Sequence, residues 1–314
     1  MSFYTLYIKY LFFLFFLLGY LYPEFSCSQS IEHVAKSSEE PSHLVGEILF
    51  TANLNGLIEN CKCGKPPLGG MPQISTLVNK YLSENKYSYY IDGGDFLNTY
   101  PYPALNSAVI DIYKLLNIKY VALGDQEWID TDELDNRVLY ELQNKIIASN
   151  FHIKNHDLKR YGQLDLQMGI KAYILSYLDE ISFFVSDDKR EIQFNDDLFT
   201  SNYNEISSKE GLNILLFHGT RYTLDLLIEK FPGFNLVLWG HEQNDIENVS
   251  ENPAIIGGGS DGEHLKKINI YRNKNNYIFS VNSIPVTLEI EEDLRIRAKI
   301  DEFKLADKKV KVQD

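Results

Sequence analysis

Positive charge is scarce in this chain. Lysine and arginine number 30 against 44 aspartates and glutamates, a formal net charge of −14. Such a surface repels nucleic acid and anionic lipid, so no nucleic-acid partner is expected. A small anionic substrate would need a local positive source, and a metal is one. Apolar runs of membrane-spanning length are also lacking. The stretch Leu11 to Tyr22, preceded by Lys9, is roughly a dozen residues, short of the ~20 that a spanning helix requires. Internal repeats are absent, and cysteine is limited to Cys27, Cys61 and Cys63.

What stands at the start is therefore read as a secretory signal over residues 1–26; a short membrane anchor or a buried helix is the alternative. Cys27 follows Ser26 just beyond the apolar core, which resembles a bacterial lipoprotein cleavage site, although Glu24 and Phe25 are poor matches to it. Lipidation of Cys27 would anchor an exported protein to the cell-envelope membrane, on its periplasmic or surface side; ordinary cleavage nearby would leave it free. Residues 27–44 are polar and charged, and they read as a flexible tether.

The folded body, residues 45–286, is organised around Tyr89-Tyr90-Ile91-Asp92-Gly93-Gly94-Asp95. An apolar run ends in two glycines and a carboxylate, the pattern of a buried parallel strand delivering Asp95 into a loop. Ligands bind at that edge of open α/β sheets. The arrangement recurs where Tyr120 to Leu123 runs into Gly124-Asp125-Gln126-Glu127, where Leu212 to Phe217 ends on His218, and where Phe234 to Trp239 runs into Gly240-His241. Strand–helix alternation at each end, with antiparallel strands between (Ala172–Leu178 and Ile181–Val185) and after, predicts an α/β fold: a four-layer α/β/β/α sandwich of two mixed sheets. Residues 287–314 are expected to form a terminal amphipathic helix and tail, with Leu294, Ile300 and Phe303 near one face.

The order of these motifs resembles the calcineurin-like metallophosphoesterases, and most nearly the catalytic domain of 5′-nucleotidases. The resemblance spans about Glu47 to Val286 and implies two metals and hydrolysis of phosphate esters or anhydrides. Carried over by position, it implies that Asp95 is the shared metal ligand and that Asp125, His218 and His241 complete one metal site. The other site is eroded, because Asn53, Asn55 and Gln243 stand where the family has charged or imidazole ligands. Gln126 replaces the family's transition-state histidine, so the catalytic role it inherits is weak.

The expected cofactor is then one divalent ion, with Zn, Fe or Mn suited to two carboxylates and two imidazoles. A one-metal hydrolase acting on a small phosphorylated substrate is the first expectation. A non-catalytic lipoprotein that binds a ligand or protein partner at the same edge is the second. A redox or metal-handling role for Cys61 and Cys63 is the third; a disulfide between them, stapling the loop, is the plainer alternative. The chain ends soon after Val286, so the nucleoside-gripping domain of complete 5′-nucleotidases is not expected. The run Gly257 to Gly262 reads as a turn or as an anion wrap.

Overall fold

The computed structural model describes residues 33–34, 43–60, 66–130, 134–183, 192–274 and 276–311. The signal run, Cys27 and the pair Cys61 and Cys63 lie outside the described residues. No helix among the described residues is long and apolar enough to cross a membrane.

Two six-stranded sheets form the body. The first contains β1 (His33–Val34), β2 (His43–Thr51), β3 (Ser88–Asp92), β4 (Ile118–Val121), β13 (His264–Asn273) and β14 (Asn276–Pro285), in the order β1-β14-β13-β2-β3-β4. The second contains β6 (Gly162–Asp165), β7 (Lys171–Leu178), β9 (Leu212–Gly219), β10 (Leu236–His241), β11 (Glu247–Asn248) and β12 (Ala254–Gly257), in the order β11-β12-β10-β9-β7-β6. β5 (Phe151–Ile153) and β8 (Ile192–Phe194) pair separately. The middle strands of both sheets run parallel, with Leu49 opposite Tyr90 and Val237 opposite Leu215. Strands covered on both faces read as unbroken apolar runs, and every residue of β9 is buried.

Val45, Ile48, Phe50 and Ile91 of the first sheet meet Ile174, Ile214, Leu216 and Leu238 of the second in the central layer. The outer face of the first sheet packs on α1 (Met71–Glu84), α2 (Pro103–Leu115) and α5 (Leu294–Lys311); that of the second packs on α3 (Asp196–Ser207) and α4 (Arg221–Lys230). This is the expected four-layer α/β/β/α sandwich. Proline at the start of α1 and of α2 suits the first turn, where an N–H would lack a partner anyway.

Three local expectations fail. Ile181 and Ser182 lie in a 3₁₀ turn, Glu180–Ser182, not in a strand. The Asp179 side chain accepts the Ile181 N–H, and the Ser182 hydroxyl donates to the Asp179 carbonyl, so local side-chain bonding sets a turn where a second strand was expected to open. Leu294 is 76% exposed, whereas Ile296 and Ile300 are fully buried against α1 and α2. His33–Val34 pairs with β14, and β2 opens at His43, so parts of the segment read as a tether belong to the first sheet.

Candidate metal centre

The parallel strands of both sheets deliver their C-terminal ends to one edge. β2 leads into Asn53 and Asn55, β3 into Asp95, β4 into Asp125, β9 carries His218 and β10 ends at His241. Asn53, Asn55, Asp95 and His241 all have positive φ, at 55°, 53°, 57° and 76°. Left-handed backbone is uncommon outside glycine and tends to gather at functional sites.

Asp95, Asp125, His218 and His241 each present one ligand atom, and these four atoms lie within 4.8 Å of one another. His218 Nε2 is 3.3 Å from Asp95 Oδ1 and 3.4 Å from Asp125 Oδ1, and His241 Nδ1 is 2.9 Å from Asp125 Oδ1. The other nitrogen of His218, Nδ1, donates to the Gly93 carbonyl at 2.7 Å. That bond fixes the ring and leaves Nε2 as the inward atom, the carbonyl-anchored arrangement usual for metal-ligating histidine. Nε2 is buried without a hydrogen-bond partner, although orphaned buried polar atoms are rare. Gly124 keeps the space open: a Cβ there would stand 2.6 Å from His218 Nε2. The donor set, the orphaned nitrogen and the glycine-lined gap all fit one divalent cation.

The electrostatics agree. Burial opposes a charged His218, but Asp95 and then Asp125 outweigh it and raise its pKa well above the ordinary value. Burial pushes Asp125 up, yet the two imidazoles prevail and hold it down at about 2. Without a cation the cluster holds a proton where positive charge is wanted.

Glu127 frames the site. It is fully buried, and its carboxylate accepts four backbone N–H groups, from Asp95, Phe96, Leu97 and Gly124. Burial and then Asp95 push its pKa to about 8, against those donors. One side chain thereby pins the loop after β3 to the turn after β4. The sequence marks Glu127 only as the acid that follows Gln126.

The neighbouring berth has become a hydrogen-bond network of amides, backbone groups and the Asp261 carboxylate. Asn53 Oδ1 accepts the His241 N–H at 2.8 Å, and its Nδ2 donates to the Gly259 carbonyl at 2.8 Å. Asn55 Nδ2 donates to Asp261 Oδ1 at 2.8 Å, and Asn55 Oδ1 accepts from Gln126 Nε2 at 3.0 Å. Asp261 was not among the expected site residues; its only sequence signal was its place in the run Gly257 to Gly262. Glycine is needed in that run because the backbone lies against β2: a Cβ on Gly258 would stand 2.7 Å from Ala52 N. Gln243 is exposed.

No family profile and no curated protein matches the sequence. Solved structures do. The chain superimposes on the sulfate thiohydrolase SoxB of Thermus thermophilus with a TM-score of 0.71 at 13% identity, covering 84% of this chain and 61% of that one. For the NAD nucleotidase NadN of Haemophilus influenzae the values are 0.70, 15%, 85% and 60%. For the calcineurin-like phosphoesterase YfkN of Bacillus subtilis they are 0.64, 14%, 84% and 97%. The chain thus spans about three fifths of the first two and nearly all of the third. The protein has the calcineurin-like metallophosphoesterase fold, the one its order of strand-end motifs implies.

Proposed function

We propose that this protein is a one-metal phosphoric ester hydrolase. The observation that carries this reading is the convergence of Asp95, Asp125, His218 and His241 to within 4.8 Å. Two carboxylates and two imidazoles suit Zn, Mn or Fe. Bound there, the ion supplies positive charge for a phosphoryl group and makes water more acidic. The chain's own residues hold and orient: the Gly93 carbonyl aims His218, and Glu127 fixes the Asp95 loop. Asn53 and Asn55 put amides where charged or imidazole ligands would hold a second ion, and both amides are already hydrogen-bonded.

The test is hydrolysis of p-nitrophenyl phosphate and its bis-ester by purified protein, titrated with Mn or Zn. Metal-dependent turnover that disappears in Asp95→Ala and His241→Ala supports the reading. No turnover at full metal occupancy sinks it and favours a second reading, a non-catalytic domain that binds a ligand or protein partner at this edge. What supports that second reading is the amide network, which ties Gln126 to Asn55 and engages Asn55 with Asp261. The N-terminal features support an exported, lipid-anchored form modified at Cys27; labelling with a radioactive fatty acid, lost in Cys27→Ala, tests it.

A further inference from the structure

The edge of the sandwich opposite the metal centre, where β9 and β10 begin, opens onto a groove of about 920 Å³. That volume is in the range of small-molecule sites. The second sheet contributes Asn213, Asn235 and Asn252 to the lining. The hairpin of β13 and β14 contributes Arg272, Asn273, Asn276 and Tyr277.

The charges here argue against an ionic ligand. Lys209 and Arg272 are offset by Glu210 and Glu251, so an anion meets two carboxylates and a cation two basic side chains. Lys209 Nζ is already bonded to Glu205 at 2.7 Å and to the Tyr161 hydroxyl at 2.8 Å. Five asparagines stand where a site for an apolar ligand would carry hydrophobic side chains.

Two of those amides have fixed directions. A backbone carbonyl only accepts, so Asn213 turns its NH₂ to the Gly233 carbonyl, at 3.3 Å. Its Oδ1 is the end left over, buried with no partner, which is rare in folded proteins. A backbone N–H only donates, so Asn235 gives its Oδ1 to the Asn213 N–H, at 2.9 Å. The Asn235 NH₂ is left without a partner among the described residues. The two residues are neighbours across the pairing of β9 with β10, where the Asn235 N–H also donates to the Asn213 carbonyl. Adjacent residues thus offer one acceptor and one donor. A hydroxyl group, which accepts and donates through a single oxygen, answers both. Beside them the half-buried Tyr277 ring, with the Arg272 guanidinium 4.6 Å from its centroid, supplies a flat apolar surface.

We propose that this groove binds a neutral sugar or short glycan, independently of the metal centre. Titration calorimetry of the full chain with maltohexaose and with chitohexaose tests this, and saturable binding of at least one is expected. Asn235→Asp keeps the oxygen that accepts the Asn213 N–H but replaces the donor with an acceptor, so affinity should fall about tenfold. Tyr277→Ala removes the ring and should also lower affinity about tenfold. Circular dichroism verifies that both variants fold. NMR of the wild type needs no variant: the side-chain amide signals of Asn213 and Asn235 should shift when the sugar is added. Absence of binding to both oligosaccharides, unchanged affinity in either variant, or unmoved amide signals overturns the proposal. So does tighter binding of hexaglycine, which would make the ligand a peptide.

Discussion

His218 uses its two ring nitrogens for different ends. Nδ1 is spent on the Gly93 carbonyl, and Nε2 stands between two carboxylates. A cation must take the neutral ring, so it has to expel the proton that Asp95 and Asp125 hold there. The sign follows: affinity for the metal rises with pH until His218 has lost its proton, and falls in acid. Calorimetry in buffers of different ionisation enthalpy should show release of about one proton per ion near neutral pH; no release would contradict this account of His218. Glu127→Gln replaces an acceptor oxygen with an NH₂ group facing backbone N–H donors. It should cost about 3 kcal/mol in urea unfolding, together with a loss of metal affinity, because buried donors would lose their partner. At this scale the sequence singled out Asp95, Asp125, His218 and His241, each at or just past the end of an apolar strand, and the structure brings the four together. Glu127 and Asp261 were opaque, because strand-end position does not say which acid turns inward or which turn residue meets Asn55.

Among the elements, the parallel strands were legible and the turns between them were not. Burial on both faces writes itself as an unbroken apolar run, as in β9, whereas the turn Glu180–Ser182 depends on bonds from Asp179 that composition does not reveal. The helix α5 shows the same limit. Its apolar period was visible, but Ile296 rather than Leu294 faces the core. Ile300→Ala should therefore destabilise the protein by about 2–4 kcal/mol, while Leu294→Ala should be near neutral; thermal unfolding of the two variants checks the assignment. A second device at this scale lies in β13. Lys266 is fully buried and bonds to Glu247 at 2.7 Å, to Ser283 at 2.8 Å and to Asp245. It ties the first sheet to β11 and to the loop that follows His241. Removing one partner of a buried ion cluster leaves the other uncompensated, so Lys266→Ala should cost about 3 kcal/mol in denaturant unfolding. Asp245 is about half exposed, so the penalty falls mainly on Glu247.

In the whole molecule, sheets from two halves of the chain feed one edge, and neither half holds a complete site. Asp95 and Asp125 come from the first sheet's strand ends, His218 and His241 from the second's. Packing of the central layer, Phe50 and Ile91 against Leu216 and Leu238, therefore sets the distance between carboxylates and imidazoles. The berth beside them has been rebuilt as hydrogen bonds of Asn53, Asn55 and Gln126 to one another's neighbours, the backbone and Asp261. The central claim is a cluster that binds a single ion. Elemental analysis of purified protein beside an Asp95→Ala/His241→Ala variant of the same fold, verified by circular dichroism, tests it most directly. The account predicts about one equivalent of Zn, Mn or Fe per chain in the wild type and none in the variant; equal metal content in the two proteins would contradict it.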